Sequence, residues 1–180
     1  MDYFGVEVWI NNKWDWPGKN WSMWKTNTTD ETNEYADGRW RFCLYDIEFG
    51  GVSGAGDAYT NTVKEDNYKP SGLLDFDTKN PAVLCFAYLM TNDKFRAAYC
   101  EKLAGFSDTI FEKNKALDTL DEFEAVYGPL FDQFYDRYPG SGSKEEAING
   151  YYASSQCIRD FINLRADNIS MITDWINSRF

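Results

Sequence analysis

The apolar and polar positions divide this chain into a mixed first third and a helical remainder. Residues 2–11, Asp2-Tyr3-Phe4-Gly5-Val6-Glu7-Val8-Trp9-Ile10-Asn11, are densely apolar and predict a buried helix despite Gly5. A polar loop over 11–20 follows. Two short aromatic runs, 21–24 and 39–45, then predict an antiparallel strand pair, separated by a Thr/Asn/Asp/Glu-rich span whose Asp37-Gly38 marks a turn. Residues 50–80 carry glycines at 50, 51, 54, 56 and 72 among scattered polar residues, a long connection of the kind that is functional or mobile.

From Asn80 onward the pattern is helical. Asn80-Pro81 supplies a cap and a first-turn proline for a helix over 82–90, and Asn92 caps a second helix reaching about Leu103 and ending at Gly105. Thr119-x-x-Glu122 and Ser143-x-x-Glu146 have the form of capping boxes. The first precedes a stripe of Phe123, Val126, Tyr127, Leu130, Phe131 and Phe134, which Pro139-Gly140-Ser141-Gly142 ends. Residues 144–178 place Ile148, Tyr152, Ile158, Phe161, Ile162, Ile169, Ile172 and Ile176 at helical spacing. The expected fold class is therefore α+β, mostly helical: a small β-hairpin region over 1–75 and a helical bundle over 80–180, in a single domain.

With 180 residues, 43% hydrophobic and 18% aromatic, the chain has ample material for a core. A net charge of −11 repels a phosphate backbone, so no nucleic-acid partner is expected. No apolar run approaches the roughly twenty residues of a membrane span, and the first twenty residues lack the pattern of a signal peptide. Cys43, Cys85, Cys100 and Cys157 form no C-x-x-C pair, which argues against zinc; buried free thiols are favoured over disulfides, and the compartment stays open. The chain contains no histidine, which excludes any histidine base or ligand.

The remaining chemistry is carboxylate and amide chemistry. Asp15 and Asn20 stand five positions apart, and Asp46 and Glu48 close the second aromatic run. Asp-x-x-x-x-Asn followed by a later Asp before Phe-Gly is the order of a kinase catalytic loop and its metal carboxylate. Asp15 would orient the attacking hydroxyl; Asn20, Asp46 and Glu48 would hold a metal. Oxygen ligands suit magnesium or manganese. If the strand continues to Glu48, Asp46 and Glu48 point the same way. Taken singly, each residue is equally a loop residue that satisfies local backbone groups.

The wider context resembles the CotH family, atypical protein kinases of the spore-coat protein H type. The likeness rests on Asp2-Tyr3-Phe4 with Glu7 and Ile10-Asn11-Asn12, on Asp15-x-x-x-x-Asn20, and on Gly38-Arg39-Trp40-Arg41-Phe42 running into Tyr45-Asp46-Ile47-Glu48-Phe49-Gly50. It continues in Leu89-x-x-Asn92-x-x-Phe95-Arg96 and in the closing Phe161-x-x-x-Arg165 helix. The resemblance implies a kinase C-lobe-like fold and magnesium- or manganese-dependent transfer of phosphate from ATP to serine or threonine of secreted, cell-surface or spore-coat proteins. Nucleotide and protein substrate are thus the implied partners. Two departures stand out: Glu48 stands where the family usually has a second Asp, and Pro17 stands where ordinary kinases have a lysine two places after the catalytic Asp. No glycine-rich phosphate loop or partner lysine precedes residue 15, so the nucleotide lobe is expected upstream of this chain, and the chain alone is expected to be inactive. A non-catalytic extracellular binding module is the alternative that the aromatic, acidic composition leaves open.

Overall fold

The computed structural model describes residues 1–14, 16–64 and 72–180. It is 58% helical, with six helices and one two-stranded antiparallel sheet among the described residues, as the α+β expectation requires. The chain divides into two compact units, Met1–Gly50 with Thr62–Tyr99, and Gly51–Asn61 with Cys100–Phe180.

In the first unit, α1 (Asp2–Trp9) buries Phe4, Val8 and Trp9, so the opening apolar run is indeed an inward-facing helix. β1 (Ser22–Trp24) pairs with β2 (Arg41–Cys43) in the register Ser22 to Cys43, Met23 to Phe42 and Trp24 to Arg41. A short 3-10 turn (Gly72–Leu74) leads to α3 (Pro81–Met90), whose first two free N–H groups, on Ala82 and Val83, donate to Asn80 Oδ1 at 2.9 and 3.3 Å. The core is aromatic. Phe4 sits 5.0 Å from Phe42 and 4.9 Å from Phe86, Phe86 is 5.3 Å from Tyr99, and the Tyr99 hydroxyl donates to the Phe4 carbonyl. Offset and edge-on pairs of this kind add to the burial of each ring.

The tryptophans divide. Trp9 and Trp16 are core residues, whereas Trp14, Trp24 and Trp40 lie open to solvent. Arg41 explains part of this: its guanidinium sits 5.7 Å from the Trp24 ring and 5.6 Å from the Tyr35 ring, and donates to both carboxylate oxygens of Asp37 at 2.7 and 3.0 Å. The Arg41 bond, then the backbone N–H of Arg39, pull the Asp37 carboxyl down to about 2 from its usual 3.8. A depressed folded-state pKa means that the stabilisation is complete above pH 3.8 and is lost as pH falls through about 2. Trp24 fluorescence is therefore expected to stay constant from neutral pH to about 4 and to change between there and pH 2.

α4 (Asp93–Gly105) starts where Asn92 Oδ1 accepts from Phe95 N at 3.0 Å, as the cap predicts. The second unit is dominated by an antiparallel pair, α5 (Lys113–Arg137) and α6 (Lys144–Asn177), with the short α2 (Ala55–Ala58) against α6. Ser143 and Glu146 form the expected capping box. The Thr119 box does not form: Thr119 lies inside α5, its hydroxyl bonded to the Lys115 carbonyl, and Glu112 caps instead by accepting from Asn114 N and Lys115 N. A carboxylate placed two turns earlier satisfies the free N–H groups first, and the helix begins there. Arg159 on α6 bridges Asp121 and Glu124 of α5, Ser155 bonds Glu124, and Lys144 bridges Asp132 and Asp136. All four cysteines are free thiols.

Gly51, in the glycine-rich segment, is closely packed. Gly51 holds φ +68°, and a Cβ added there would lie 2.8 Å from the Phe161 ring. Gly51→Ala is expected to cost about 2–4 kcal/mol, from left-handed strain of about 1–2 kcal/mol plus overpacking against the ring, read as a lower urea midpoint at constant slope.

Candidate functional site

The candidate site grows out of α1 and the sheet, all within the first unit. After α1 the chain reverses at Asn11, which holds φ +58°, a conformation asparagine tolerates better than most residues. Asn12 is fully buried, and its Nδ2 donates to the buried Glu7 Oε2 at 2.9 Å, tying the start of the loop back to the helix. Thr62 Oγ1 donates to Asn11 Oδ1 at 2.7 Å. Trp16 then turns inward: its indole Nε1 donates to the Tyr3 hydroxyl at 2.7 Å, and Tyr3 stacks on Phe42 of β2 with ring centres 4.7 Å apart. Burial first, and the nearby Glu7 carboxylate second, push the Tyr3 phenol upward, so it remains a neutral hydroxyl.

Asn80 fixes the middle of the loop. While its Oδ1 caps α3, its Nδ2 donates to the Pro17 carbonyl at 2.5 Å, with the Trp16–Pro17 peptide cis. One amide therefore serves two segments. Asn80→Asp keeps the capping oxygen but loses the loop tether and sets a carboxylate against a carbonyl. We expect a loss of about 1–3 kcal/mol and faster amide exchange within 11–20, while α3 retains its protection.

Asn20, half-buried, holds φ +59°, and β1 begins two residues later. Asp46, exposed, holds φ +56° three residues after β2 ends. Because Ser22 pairs with Cys43, the chain enters β1 and leaves β2 at the same end of the sheet, so the backbones of Asn20 and Asp46 emerge from that end together. Asp15 lies outside the described residues.

The strand expectation for Asp46 and Glu48 fails. β2 stops at Cys43, Asp46 is left-handed, and Glu48 starts a turn that Gly50 N closes on the Ile47 carbonyl at 3.0 Å. A left-handed residue breaks the two-residue alternation, so shared orientation no longer follows from sequence spacing. Glu48 is exposed, and Leu44, Tyr45, Ile47 and Phe49 around the two carboxylates are also open to solvent. Among the described residues no three Asp, Glu, Cys or His side chains come together as a metal cage.

A family model described as CotH kinase protein matches residues 1–169. The chain belongs to this CotH family. No curated protein and no solved structure matches it. The candidate ligands Asn20, Asp46 and Glu48 offer two carboxylates and one amide, hard oxygen donors on exposed or half-buried residues. That number would be too sparse for a closed all-protein cage and would suit magnesium, which binds through one or two carboxylates and completes its shell with water and substrate phosphates. No helix of the described residues is long and apolar enough to cross a membrane.

Two supports of the CotH loop carried a sequence signal without its meaning. Asn80 reads only as a helix cap, and Tyr3 only as part of an apolar run. Their second roles depend on partners 63 and 13 residues away, which no local pattern records.

Proposed function

We propose that this CotH family protein is a phosphotransferase that uses a divalent metal and ATP to phosphorylate serine or threonine of secreted, spore-coat or cell-surface proteins. The observation that carries the reading is the family match over 1–169 together with the emergence of Asn20 and Asp46 from one end of the sheet. Asp46 and Asn20 would hold magnesium or manganese, with Glu48 able to contribute its longer arm. Such a cation, when bound, neutralises charge on the nucleotide phosphates. Asp15 would accept the hydrogen bond of the substrate hydroxyl and take its proton as the oxygen attacks the γ-phosphorus and the bond to the ADP oxygen breaks. Trp16, locked to Tyr3, and Pro17, locked to Asn80, hold the residues beside Asp15.

One feature favours this reading over a non-catalytic binding module: Asn20 and Asp46, at the same end of the sheet, both carry metal-type oxygens. The test is transfer of labelled γ-phosphate from ATP to a serine-rich acceptor by the natural gene product, with and without chelator. Label that appears only with magnesium or manganese, and not in an Asp15→Asn variant, supports the reading. Label indifferent to both would remove it.

A further inference from the structure

α5 carries an apolar face that α6 does not use. The residues of α5 that meet α6 include Glu124, bonded to Ser155 and Arg159, and Phe131, stacked 4.9 Å from Tyr151. About a quarter-turn around the helix lie Phe123, Val126, Tyr127, Leu130 and Phe134, spaced i, i+3, i+4, i+7 and i+11. Each is 47–59% exposed. A helix normally turns such a stripe toward a core, and a contiguous exposed patch of this kind marks an interaction surface.

The relief of the stripe indicates what fits it. Two hollows flank Tyr127: one of about 200 Å³ bordered by Thr119, Glu122, Phe123 and Val126, and one of about 220 Å³ bordered by Leu130, Phe131 and Phe134. Their centres lie some seven residues apart along α5, about 10 Å at a rise of ~1.5 Å per residue. Side chains at i and i+7 of a second helix have the same two-turn separation, the anchor spacing of helix-in-groove recognition.

Charge selects among helices. Glu122 borders the first hollow and Asp118 lies one turn before it on the same edge. α5 as a whole carries Asp118, Asp121, Glu122, Glu124, Asp132 and Asp136 against Lys113, Lys115 and Arg137, and Lys144 and Arg159 of α6 are engaged by Asp132, Asp136, Asp121 and Glu124. A second copy of the chain would bring another net −11 and another acidic edge to this face. A cationic partner is attracted where a second copy is repelled.

We propose that the outer face of α5 docks a basic amphipathic helix of another protein, with bulky apolar side chains two turns apart in the two hollows and a lysine or arginine beside Glu122. This surface does not depend on phosphoryl transfer. It is tested by fluorescence anisotropy with a labelled Leu/Lys/Ala peptide whose leucines stand at i, i+3, i+4 and i+7. Two control peptides accompany it, one of the same composition with the leucines scattered and one with Glu in place of Lys. Both controls are expected to bind at least tenfold more weakly. Val126→Glu and Leu130→Glu, exposed positions whose variants should keep the far-ultraviolet circular dichroism of the parent, are expected to weaken the patterned peptide by a similar factor, and Glu122→Lys to weaken it several-fold. Equal binding of scattered and patterned peptides, no binding of the patterned one, or full binding by both glutamate variants would overturn the proposal. So would a dimer in sedimentation that Leu130→Glu dissolves, because the face would then belong to a second copy.

Discussion

Asp46→Asn is expected to lower metal-dependent phosphate transfer by about 10²–10³-fold or more in kcat while leaving the fold intact. The size follows from removing one preorganised charged group from a site whose work is charge neutralisation and positioning. Asparagine is chosen because Asp46 holds φ +56°, a conformation that asparagine also tolerates, whereas alanine would add strain of about 1–2 kcal/mol and confuse loss of ligand with loss of structure. Asp46 is exposed, so no packing is lost. Steady-state assays of the purified variant beside its melting curve separate the two effects. Unchanged kcat would remove Asp46 from the metal site, and Glu48→Gln would then be the next variant to measure.

The largest expected effect on stability belongs to Arg165. Its side chain is fully buried, and its Nη1 donates to the carbonyls of Asp57, Ala58 and Thr60 at 3.3, 3.1 and 2.8 Å. These carbonyls lie at and just beyond the end of the short α2, so a guanidinium from α6 covers the C-terminal end of α2. Burial pushes Arg165 down to about 10, and the Asp57 charge opposes that shift, so the group stays cationic at neutral pH. Arg165→Met keeps much of the volume but removes the guanidinium donor shared by three carbonyls and the positive charge near Asp57. The expected loss is about 3–5 kcal/mol, a Tm drop on the order of 10 °C. Arg165→Lys, one donor group in place of a fork, is expected to fall between Met and the parent. A melting curve of Arg165→Met that matches the parent would contradict this role for the buried guanidinium.

Legibility in the sequence followed the range of the interaction. Asn80-Pro81, Asn92 and Ser143-x-x-Glu146 were readable because a cap involves neighbours two or three residues away. The Thr119 box misled because the same local pattern is outcompeted by Glu112, two turns earlier and itself the N-cap of α5. Asp15, Asn20 and Asp46 were readable as candidates from order and spacing alone. The left-handed turn at Asp46, which ends the alternation on which a shared Asp46–Glu48 face depended, was not, because aspartate takes extended and left-handed backbone alike and the local pattern does not choose between them. Phe161-x-x-x-Arg165 was visible as a motif, but its work, covering Gly51 and capping α2, joins residues more than a hundred positions apart. The stripe on α5 was correctly spaced for a helix. Spacing does not reveal whether a face has a partner, and among the described residues this one has solvent.

Asn20 and Asp46, at one end of the two-stranded sheet, would share a divalent cation in the proposed site. Manganese titration followed by electron paramagnetic resonance measures this without requiring turnover. The parent is expected to bind manganese, and Asp46→Asn and Asn20→Gly, both compatible with left-handed backbone, are each expected to weaken it at least about tenfold. Manganese affinity equal in the parent and both variants would contradict the shared site.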